Sequence, residues 1–449
     1  MSKGRYFIKT LGCKLNQYDQ AAMEEQLREM GFVPSSSSEA DLIIVNTCTV
    51  TGKADAEARR LIRSYHRENK KARIMVTGCY PEREPELFTD MPEVSLVFGN
   101  YEKYHLAEAV RFLNEGRGKL FRLERERGGS TPVLPLTSFS GHTRAFVKIQ
   151  EGCDANCSYC IVPKVRGRSR SVPLSLVIRE VESLLSQGFS EIVLTGIHIG
   201  VYGRDFGEEK GFLTLLRAIV ELPYQFRVRL SSLEPLEITP ELIQFVARSE
   251  KIAPHFHIPL QSGSDRILAK MRRPYRSDKY REVVLAIREL IPDAGIGADV
   301  IVGFPGEEEE DFMATYRLIE ELPLTHLHIF SFSPRPGTEA FHMKPALPKT
   351  VIKERVKKLR TLAKEKMLAF RQGFIGRELS SVVLSKRDEE GRLVALSGNY
   401  IPIKVPYEPS FIGRIVPVRI VELNDKGVFG IISSSATKER KEGLKVEKG

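Results

Sequence analysis

"GCDANCSYC", from Gly152 to Cys160, holds three cysteines in the spacing CxxxCxxC, and this stretch decides how the 449-residue chain is interpreted. The three are Cys153, Cys157 and Cys160. A closed tetrahedral zinc site or an ordinary cubane iron–sulfur cluster takes four protein ligands. A loop with three thiols therefore predicts a metal centre that keeps one position open for a ligand from elsewhere.

The segment around this loop repeats a strand followed by a helical pattern six times. Its predicted strands are 145–150, 191–196, 227–232, 255–260, 296–303 and 326–332. Six such units are too few for a closed eight-fold barrel. We predict an incomplete, laterally open (β/α)6 barrel, with the cysteine loop after its first strand, at the catalytic end.

The first hundred residues show a second α/β pattern. Apolar strands at 5–10, 41–46 and 72–77, alternating with helical patterns, predict a small doubly wound parallel sheet. Each strand ends in a turn with a cysteine, and these are Cys13, Cys48 and Cys79. Because the carboxyl ends of parallel strands meet at one edge of a sheet, we expect the three thiols to converge.

The chain from about residue 373 consists of five short β-rich runs separated by Gly, Pro, Asn and Asp, which predict a small antiparallel β-barrel. The whole chain is thus of the α/β class. We predict an amino-terminal domain at 1–122, a polar linker at 123–138, the open barrel at 139–371 and the small β-barrel at 372–440. Because all six cysteines lie upstream, we expect the last domain to be separable from the metal chemistry.

The composition of the chain indicates which kind of partner the protein binds and which compartment it occupies. The formal net charge of +10 favours a polyanionic partner, with nucleic acid the first candidate. Neither a signal-peptide core nor an apolar run of membrane-spanning length is present, so we expect a cytoplasmic protein that does not enter a membrane. Thiols stay reduced there, which favours metal ligands over disulfides. Buried apolar cysteines and structural zinc are the alternatives, but each trio is one thiolate short of a closed zinc site.

The CxxxCxxC loop on a six-fold barrel resembles the radical S-adenosylmethionine (radical SAM) superfamily. "EGCDANCSYCIVPKVRGRSRSVP" at 151–173, with "TLGCKLNQYD" at 10–19, "VNTCTVTGKADAEAR" at 45–59 and "VTGCYPE" at 76–82, more specifically resembles the radical SAM methylthiotransferases. The motifs "HIPLQSGSDRIL" (257–268) and "DVIVGFPGE" (299–307) fit the same family. The carboxyl-terminal segment is similar to the RNA-binding TRAM domain.

This resemblance implies two [4Fe-4S] clusters. Cys153, Cys157 and Cys160 would bind the cluster whose open iron is chelated by S-adenosylmethionine (SAM), and Cys13, Cys48 and Cys79 would bind an auxiliary cluster that carries the sulfur. No side chain is assigned as catalytic. The residues expected to contact SAM are Gly196, Ser232, Gln261, Asp299, Gly303 and Pro305.

Two groups of residues keep alternative interpretations at this stage. His255 and His257 share one strand face, as do His326 and His328, and barrel packing explains them as well as cofactor binding does. None of the four is assigned as a metal ligand. Arg166, Arg168 and Arg170 follow the cluster loop, where a solvated face and contacts to a substrate phosphate are both open.

The resemblance implies a tRNA modification enzyme that adds a methylthio group to C2 of threonylcarbamoyladenosine beside the anticodon. It would consume two SAM per turnover and need an external electron donor and a sulfur source. Alternative substrates are isopentenyladenosine in tRNA and an aspartate of a ribosomal protein. A non-catalytic iron–sulfur RNA-binding factor is the alternative of another class, and it would form no 5′-deoxyadenosine from SAM.

Overall fold

The computed structural model describes residues 4–123, 136, 139 and 143–433. The predicted linker at 123–138 therefore lies almost wholly outside the described residues. The predicted end of the last domain, at residue 440, also lies beyond them.

The amino-terminal part is a six-stranded sheet in which every pair is parallel, in the order β2-β1-β3-β4-β5-β6. Its strands are β1 Gly4–Thr10, β2 Phe32–Pro34, β3 Leu42–Thr47, β4 Arg73–Gly78, β5 Leu96–Phe98 and β6 Leu120–Phe121. Its helices are α1 Lys14–Glu29, α2 Gly52–Glu68, α3 Cys79–Arg83, α4 Pro85–Thr89 and α5 Leu106–Asn114.

Helices cover both faces of this sheet. Met23 of α1 and Val110 of α5 pack on one face with Ile44 of β3, while Ile62 of α2 and Phe88 of α4 belong to the core on the other face. The central strands are apolar on both sides for this reason. The predicted doubly wound sheet and its three long strands are confirmed, and the structure adds three short strands at its two edges.

The central part holds six parallel strands that curve into an open barrel, as predicted. The strands are β7 Ala145–Lys148, β10 Glu191–Thr195, β11 Arg227–Leu230, β12 His255–His257, β13 Gly295–Val302 and β14 His326–Ser331. Ladders join β7, β10 and β11 on one side and β12, β13 and β14 on the other, and single bridges between Val228 and Ile252 and between Ser232 and His257 connect the two halves. No ladder joins β7 to β14 among the described residues, so the barrel stays open.

The elements around this barrel follow the βα pattern. The helices are α6 Val162–Arg166, α7 Leu174–Ser186, α8 Gly211–Val220, α9 Pro240–Arg248, α10 Asp265–Lys270, α11 Ser277–Leu290, α12 Glu309–Glu321 and α13 Lys349–Gln372. A short antiparallel pair of strands, β8 Gln150–Glu151 and β9 Arg170–Ser171, brackets the cysteine loop and α6.

Helix α1 of the amino-terminal part packs against β7 at one edge of the open barrel. Tyr18 of α1 lies in an apolar cluster with Phe146 of β7, and its hydroxyl donates to Glu180 of α7 at 3.4 Å. The ammonium of Lys148, also on β7, pairs with Glu151 at 3.2 Å. A buried hydrogen bond and an apolar cluster therefore join the two α/β parts next to the cysteine loop.

The carboxyl-terminal part is a closed five-stranded barrel in the order β15-β16-β17-β19-β18. Its strands are β15 Glu378–Arg387, β16 Leu393–Ser397, β17 Pro402–Val405, β18 Ile415–Asn424 and β19 Gly427–Ile432. All pairs are antiparallel except β17 with β19. This confirms the predicted small barrel.

The loop Ser397–Tyr400 of the small barrel fills the amino-terminal mouth of the open barrel. Arg229 of β11 donates to the carbonyl oxygens of Gly398 at 2.9 Å and Ser397 at 3.0 Å. The ring of Tyr400 stacks on His255, with ring centroids 4.4 Å apart. We call this contact the barrel floor.

No helix in the described part of the chain is both long and apolar enough to cross a membrane.

Candidate metal centres

The CxxxCxxC loop folds tightly at the carboxyl end of β7. Gly152 opens it with a φ of 74°, and a side chain there would collide with the carbonyl oxygen of Arg168. Within the loop, Cys160 donates its backbone N–H to Cys157 O at 3.1 Å, and the Ala155 N–H points at Cys153 Sγ at 3.3 Å. These contacts hold the three thiols of the motif on one short turn.

Two cationic side chains from distant parts of the chain face the sulfur atoms of this loop. Arg273 donates to Cys157 Sγ at 3.3 Å and pairs with Glu234. His198 Nδ1 lies 3.6 Å from Cys153 Sγ, and its other ring nitrogen contacts Glu237. Burial lowers the pKa of His198, but its contacts with Cys153 and Glu237 outweigh burial and raise the pKa to about 10. Both side chains therefore place positive charge beside sulfur atoms of the loop.

Cys13, Cys48 and Cys79 follow β1, β3 and β4, and the structure brings them to one edge of the sheet. The φ of Gly12 is 99°, and a Cβ built on it would lie 3.0 Å from Cys48 Sγ. The turn before Cys13 therefore packs directly against Cys48. Asn16 fixes this turn by donating to the carbonyl oxygens of Leu11 at 2.7 Å and Thr47 at 3.1 Å. The predicted convergence is confirmed.

Burial keeps several of these thiols protonated when no metal is bound. It raises the pKa of Cys48 to about 12, and negative charge on Cys79 and Cys13 adds to the effect. Burial likewise raises the pKa of Cys160 to about 12, with further contributions from Cys157 and Cys153. Metal binding must displace these protons, because only the thiolate is a metal ligand.

Arg166 of α6 connects the two trios. Its side chain is buried, and its Nε donates to Cys79 Sγ at 3.4 Å. The same guanidinium pairs with Glu151 at 2.7 Å and with Asp19 of α1 at 3.2 Å. The solvated-face and phosphate-contact interpretations are therefore both wrong for Arg166, whose charge is neutralised within the protein.

The other two arginines of that run lie elsewhere. The side chain of Arg168 is 89% exposed and pairs with Asp154, and Arg170 is half-buried in β9. Arg166 ends helix α6, and Gly167, with a φ of 74°, turns the chain before Arg168, so the three arginines lie in different environments.

A pocket lies between the cysteine loop and the segment after Cys48. Its volume is about 800 Å³ when the solvent at its mouth is included. Cys160 lines it from the barrel, and Val50 and Thr51, directly after Cys48, line it from the amino-terminal part. Arg335 also lines the pocket. It pairs with Asp55 of α2 at 2.6 Å and so joins the barrel side of the pocket to its amino-terminal side. A substrate in this pocket would contact Cys160 and the segment that directly follows Cys48.

Two of the six residues expected to contact SAM line this pocket, namely Gln261 and Asp299. Gly196 and Ser232 lie just past the carboxyl ends of β10 and β11 and are not among its lining residues. The same holds for Gly303 and Pro305, in the turn after β13. A Cβ on Gly303 would meet Ile352 of α13 at 2.7 Å, so this glycine has a packing reason of its own.

Asp299 is held between two imidazoles. His257 Nε2 lies 3.0 Å and His328 Nδ1 3.1 Å from Asp299 Oδ1, and ligand atoms of the three residues lie within 4.8 Å of one another. Burial raises the pKa of Asp299, but its hydrogen bonds with the two histidines outweigh burial and hold that pKa well below its usual range. The pocket therefore contains a fixed negative charge on its barrel side.

The donor set fits two iron–sulfur clusters. All six cysteines are free thiols, in two groups of three, and each group has cationic donors aimed at sulfur. Sequence reasoning missed Arg273 and His198, because they lie 116 and 45 residues from the thiols they contact and no local pattern marks them.

Comparison with known families and proteins agrees with this geometry. Residues 5–99 match the model described as "Uncharacterized protein family UPF0004", and residues 147–319 match the radical SAM superfamily. Among solved structures, the cobalamin-binding radical SAM methyltransferase TsrM from Kitasatospora setae superposes with a TM-score of 0.54 at 16% identity, covering 76% of this chain and 74% of that one. That likeness shows a shared fold.

Relatives with closer sequences cover nearly the whole chain. The threonylcarbamoyladenosine tRNA methylthiotransferase MtaB of Aquifex aeolicus is 40% identical over 88% of this chain and 95% of its own length. The enzyme of the same name from Thermotoga maritima is 36% identical over 94% and 95%. A tRNA-2-methylthio-N(6)-dimethylallyladenosine synthase from Pelotomaculum thermopropionicum is 32% identical over 96% and 98%. The chain therefore belongs to the radical SAM methylthiotransferase family, and within it to the MtaB type.

Proposed function

We propose that this enzyme adds a methylthio group to C2 of threonylcarbamoyladenosine beside the anticodon of tRNA, with two SAM consumed per turnover. The observation that carries the proposal is one pocket lined both by Cys160 and by the residues that follow Cys48. An enzyme that transfers sulfur from one cluster to a carbon activated at another needs its substrate in contact with both.

The two trios are the proposed ligand sets. Cys153, Cys157 and Cys160 would hold one [4Fe-4S] cluster, and Cys13, Cys48 and Cys79 would hold the second, each with one iron left open. When bound, the clusters and SAM supply the radical chemistry and the sulfur that functionalise an unactivated carbon.

The protein's own contribution is positioning and charge balance. Arg273 and His198 offset the negative charge of the first trio, and Arg166 fixes the distance from the loop to the second. Apolar side chains of the pocket, such as Ile161 and Phe332, exclude water from the space where a reactive carbon would lie.

For SAM we propose contacts from Gly196, Ser232, Gln261, Asp299, Gly303 and Pro305. Gln261 and Asp299 have the strongest support, because both line the pocket beside Cys160. The anionic Asp299 suits a ligand with a sulfonium and an ammonium group. We keep the domain limits 1–122, 139–371 and 372–440 as part of the proposal, with tRNA docking assigned to the small barrel.

We propose that an external electron donor and an external sulfur source serve the two clusters. We propose a cytoplasmic location, because six free thiols are kept reduced there.

Mass spectrometry of tRNA nucleosides tests the function. Cells that lose this enzyme should lose 2-methylthio-threonylcarbamoyladenosine and retain threonylcarbamoyladenosine, and the purified enzyme should restore the former. Loss of the methylthio form of dimethylallyladenosine instead would assign the enzyme to that other substrate. Unchanged tRNA nucleosides would overturn the proposal.

A further inference from the structure

Helix α13 has a stripe of four basic residues on its exposed side. The stripe consists of Lys353, Lys357, Arg360 and Lys364, whose spacing of four, three and four residues places them on one helical face about 16 Å long. All four are exposed. We name them the α13 stripe.

The charges of the α13 stripe are not neutralised within the described part of the protein. None of its four side chains forms a salt bridge or a hydrogen bond with another described residue. Other basic residues of the same helix differ: Arg355 pairs with Glu307 and Glu309, and Lys366 donates to a backbone carbonyl at 2.7 Å. Four adjacent, unneutralised cations favour a bound polyanion over a merely solvated face.

The stripe lines a groove that leads to the substrate pocket. Ser331, the last residue of β14, lines both the groove and the pocket that contains Cys160. Ile352, next to Lys353, contacts Gly303 at the carboxyl end of β13, so the stripe begins at the catalytic end of the barrel. A chain whose base enters the pocket can thus continue along the stripe.

The pocket mouth offers a surface for a neighbouring base. Phe330 of β14 lines the pocket, and 44% of its surface is exposed. Exposed aromatic rings stack on unpaired bases in single-stranded RNA. Phosphate binding and base stacking meet at β14, which has no strand partner on its outer edge among the described residues.

We infer that the α13 stripe binds the phosphates of the tRNA anticodon strand next to the nucleotide in the pocket. This inference rests on the proposed function. It places a second tRNA-docking surface on the open barrel, besides the one proposed for the carboxyl-terminal small barrel. Because phosphate contacts carry no sequence information, the stripe would position the anticodon loop without selecting its bases.

The test compares two double variants of the cluster-loaded enzyme. Lys357→Gln with Arg360→Gln removes two stripe charges. Lys70→Gln with Arg248→Gln removes two exposed charges elsewhere, Arg248 being the last residue of α9, at the end of the barrel away from the pocket. Fluorescence anisotropy measures the Kd for tRNA carrying threonylcarbamoyladenosine at several salt concentrations, and SAM cleavage without tRNA checks that each variant is intact.

The stripe variant should bind this tRNA about tenfold more weakly. The negative slope of log K against log salt should become shallower by about 1.4 to 1.8, with SAM cleavage unchanged. The control variant should show a smaller change in both quantities. A Kd and slope like those of the unmodified enzyme, while that enzyme still modifies tRNA, would overturn the inference and leave the function intact. If the unmodified enzyme neither binds nor modifies this tRNA, the inference and the proposed function are both wrong.

Discussion

Arg166 Nε donates to Cys79 Sγ at 3.4 Å across the boundary between the open barrel and the amino-terminal sheet. Arg166 lies six residues after Cys160, in α6, so one side chain joins the loop of the first trio to a ligand of the second. The guanidinium also pairs with Asp19 and Glu151, both buried. One buried cation therefore connects the two candidate cluster sites and contributes to their spacing.

Replacing Arg166 should uncouple the two sites. Arg166→Met removes one cationic partner from Asp19, which keeps Lys103 at 2.8 Å, and one from Glu151, which keeps Lys148 at 3.2 Å. The loss of these charged hydrogen bonds should cost about 1–3 kcal/mol of folding free energy. We expect the ratio of methylthio product to 5′-deoxyadenosine to fall, as measured by mass spectrometry. Arg168→Met, at an exposed neighbour, should change stability by no more than about 0.5 kcal/mol. Equal product ratios for the two variants would contradict this role.

The cysteine trios should separate by function. Cys157→Ala should abolish SAM cleavage, because the cluster that would bind SAM loses a ligand, whereas Cys48→Ala should keep SAM cleavage and lose methylthiolation. Anaerobic iron analysis should find about eight irons in the unmodified enzyme and about four in each variant. Loss of deoxyadenosine formation in Cys48→Ala, with the other cluster spectroscopically intact, would disprove this division.

Arg273 should set the reduction potential of the first cluster. Arg273→Gln removes a positive charge 3.3 Å from Cys157 Sγ, and the more negative reduced cluster should become harder to form. A potentiometric titration followed by electron paramagnetic resonance should show a shift of about −60 mV, which is a tenfold change in the equilibrium constant for one electron. Arg273→Lys retains the charge and should shift the potential less. An unchanged or raised potential in Arg273→Gln would refute this assignment.

Glu180 should make stability depend on pH. Burial raises the pKa of its carboxyl group to about 8 from an ordinary value of 4.5, with Lys148 and the Tyr18 hydroxyl partly opposing the effect. The folded state therefore binds a proton that the unfolded chain releases, so this group's contribution to stability falls as pH rises from about 4.5 to about 8.

Glu180→Gln removes this dependence. Differential scanning fluorimetry should give the variant a higher Tm than the unmodified enzyme at pH 8, and the difference should shrink towards pH 5. A Tm difference that is constant across this range would show that Glu180 does not titrate there.

Point substitutions should reveal tRNA docking on the small barrel better than truncation does. Lys386 and Arg414 form no salt bridge with another described residue, so Lys386→Gln with Arg414→Gln should weaken tRNA binding and leave SAM cleavage unchanged. Removal from residue 373 onward should also lower SAM cleavage, because it removes the barrel floor and leaves Arg229 without two acceptors. Truncated enzyme that cleaves SAM at the full rate would show that the floor is dispensable.

The long, periodic elements could be predicted from the sequence, and the short ones could not. Each barrel strand lies within three residues of its predicted limits, because β-rich runs alternate with amphipathic helices there. Phe32–Pro34, Leu96–Phe98 and Leu120–Phe121 have only two or three residues, too few for any period. They form by adding to a sheet that already exists.

Some residues of the candidate site could likewise be identified from the sequence, and others could not. The cysteines could be identified because their spacing and their places at strand ends are local features. Arg166 could not be assigned, since its partners Asp19 and Cys79 lie 147 and 87 residues away. The contact of Asp299 with His257 and His328 likewise depends on three neighbouring strands, and the sequence shows only the polar residues on each.

The barrel floor bears on how such enzymes can be recombined. Tyr400 has a φ of 73° and stacks on His255 and His326, and burial keeps the pKa of both histidines low, so the stack is uncharged. A chimera that takes its last domain from a relative imports a foreign loop into this stack. Exchange of the carboxyl-terminal barrel should therefore succeed only when residues 397–400 and the first residues of β11, β12 and β14 are taken together from the same relative.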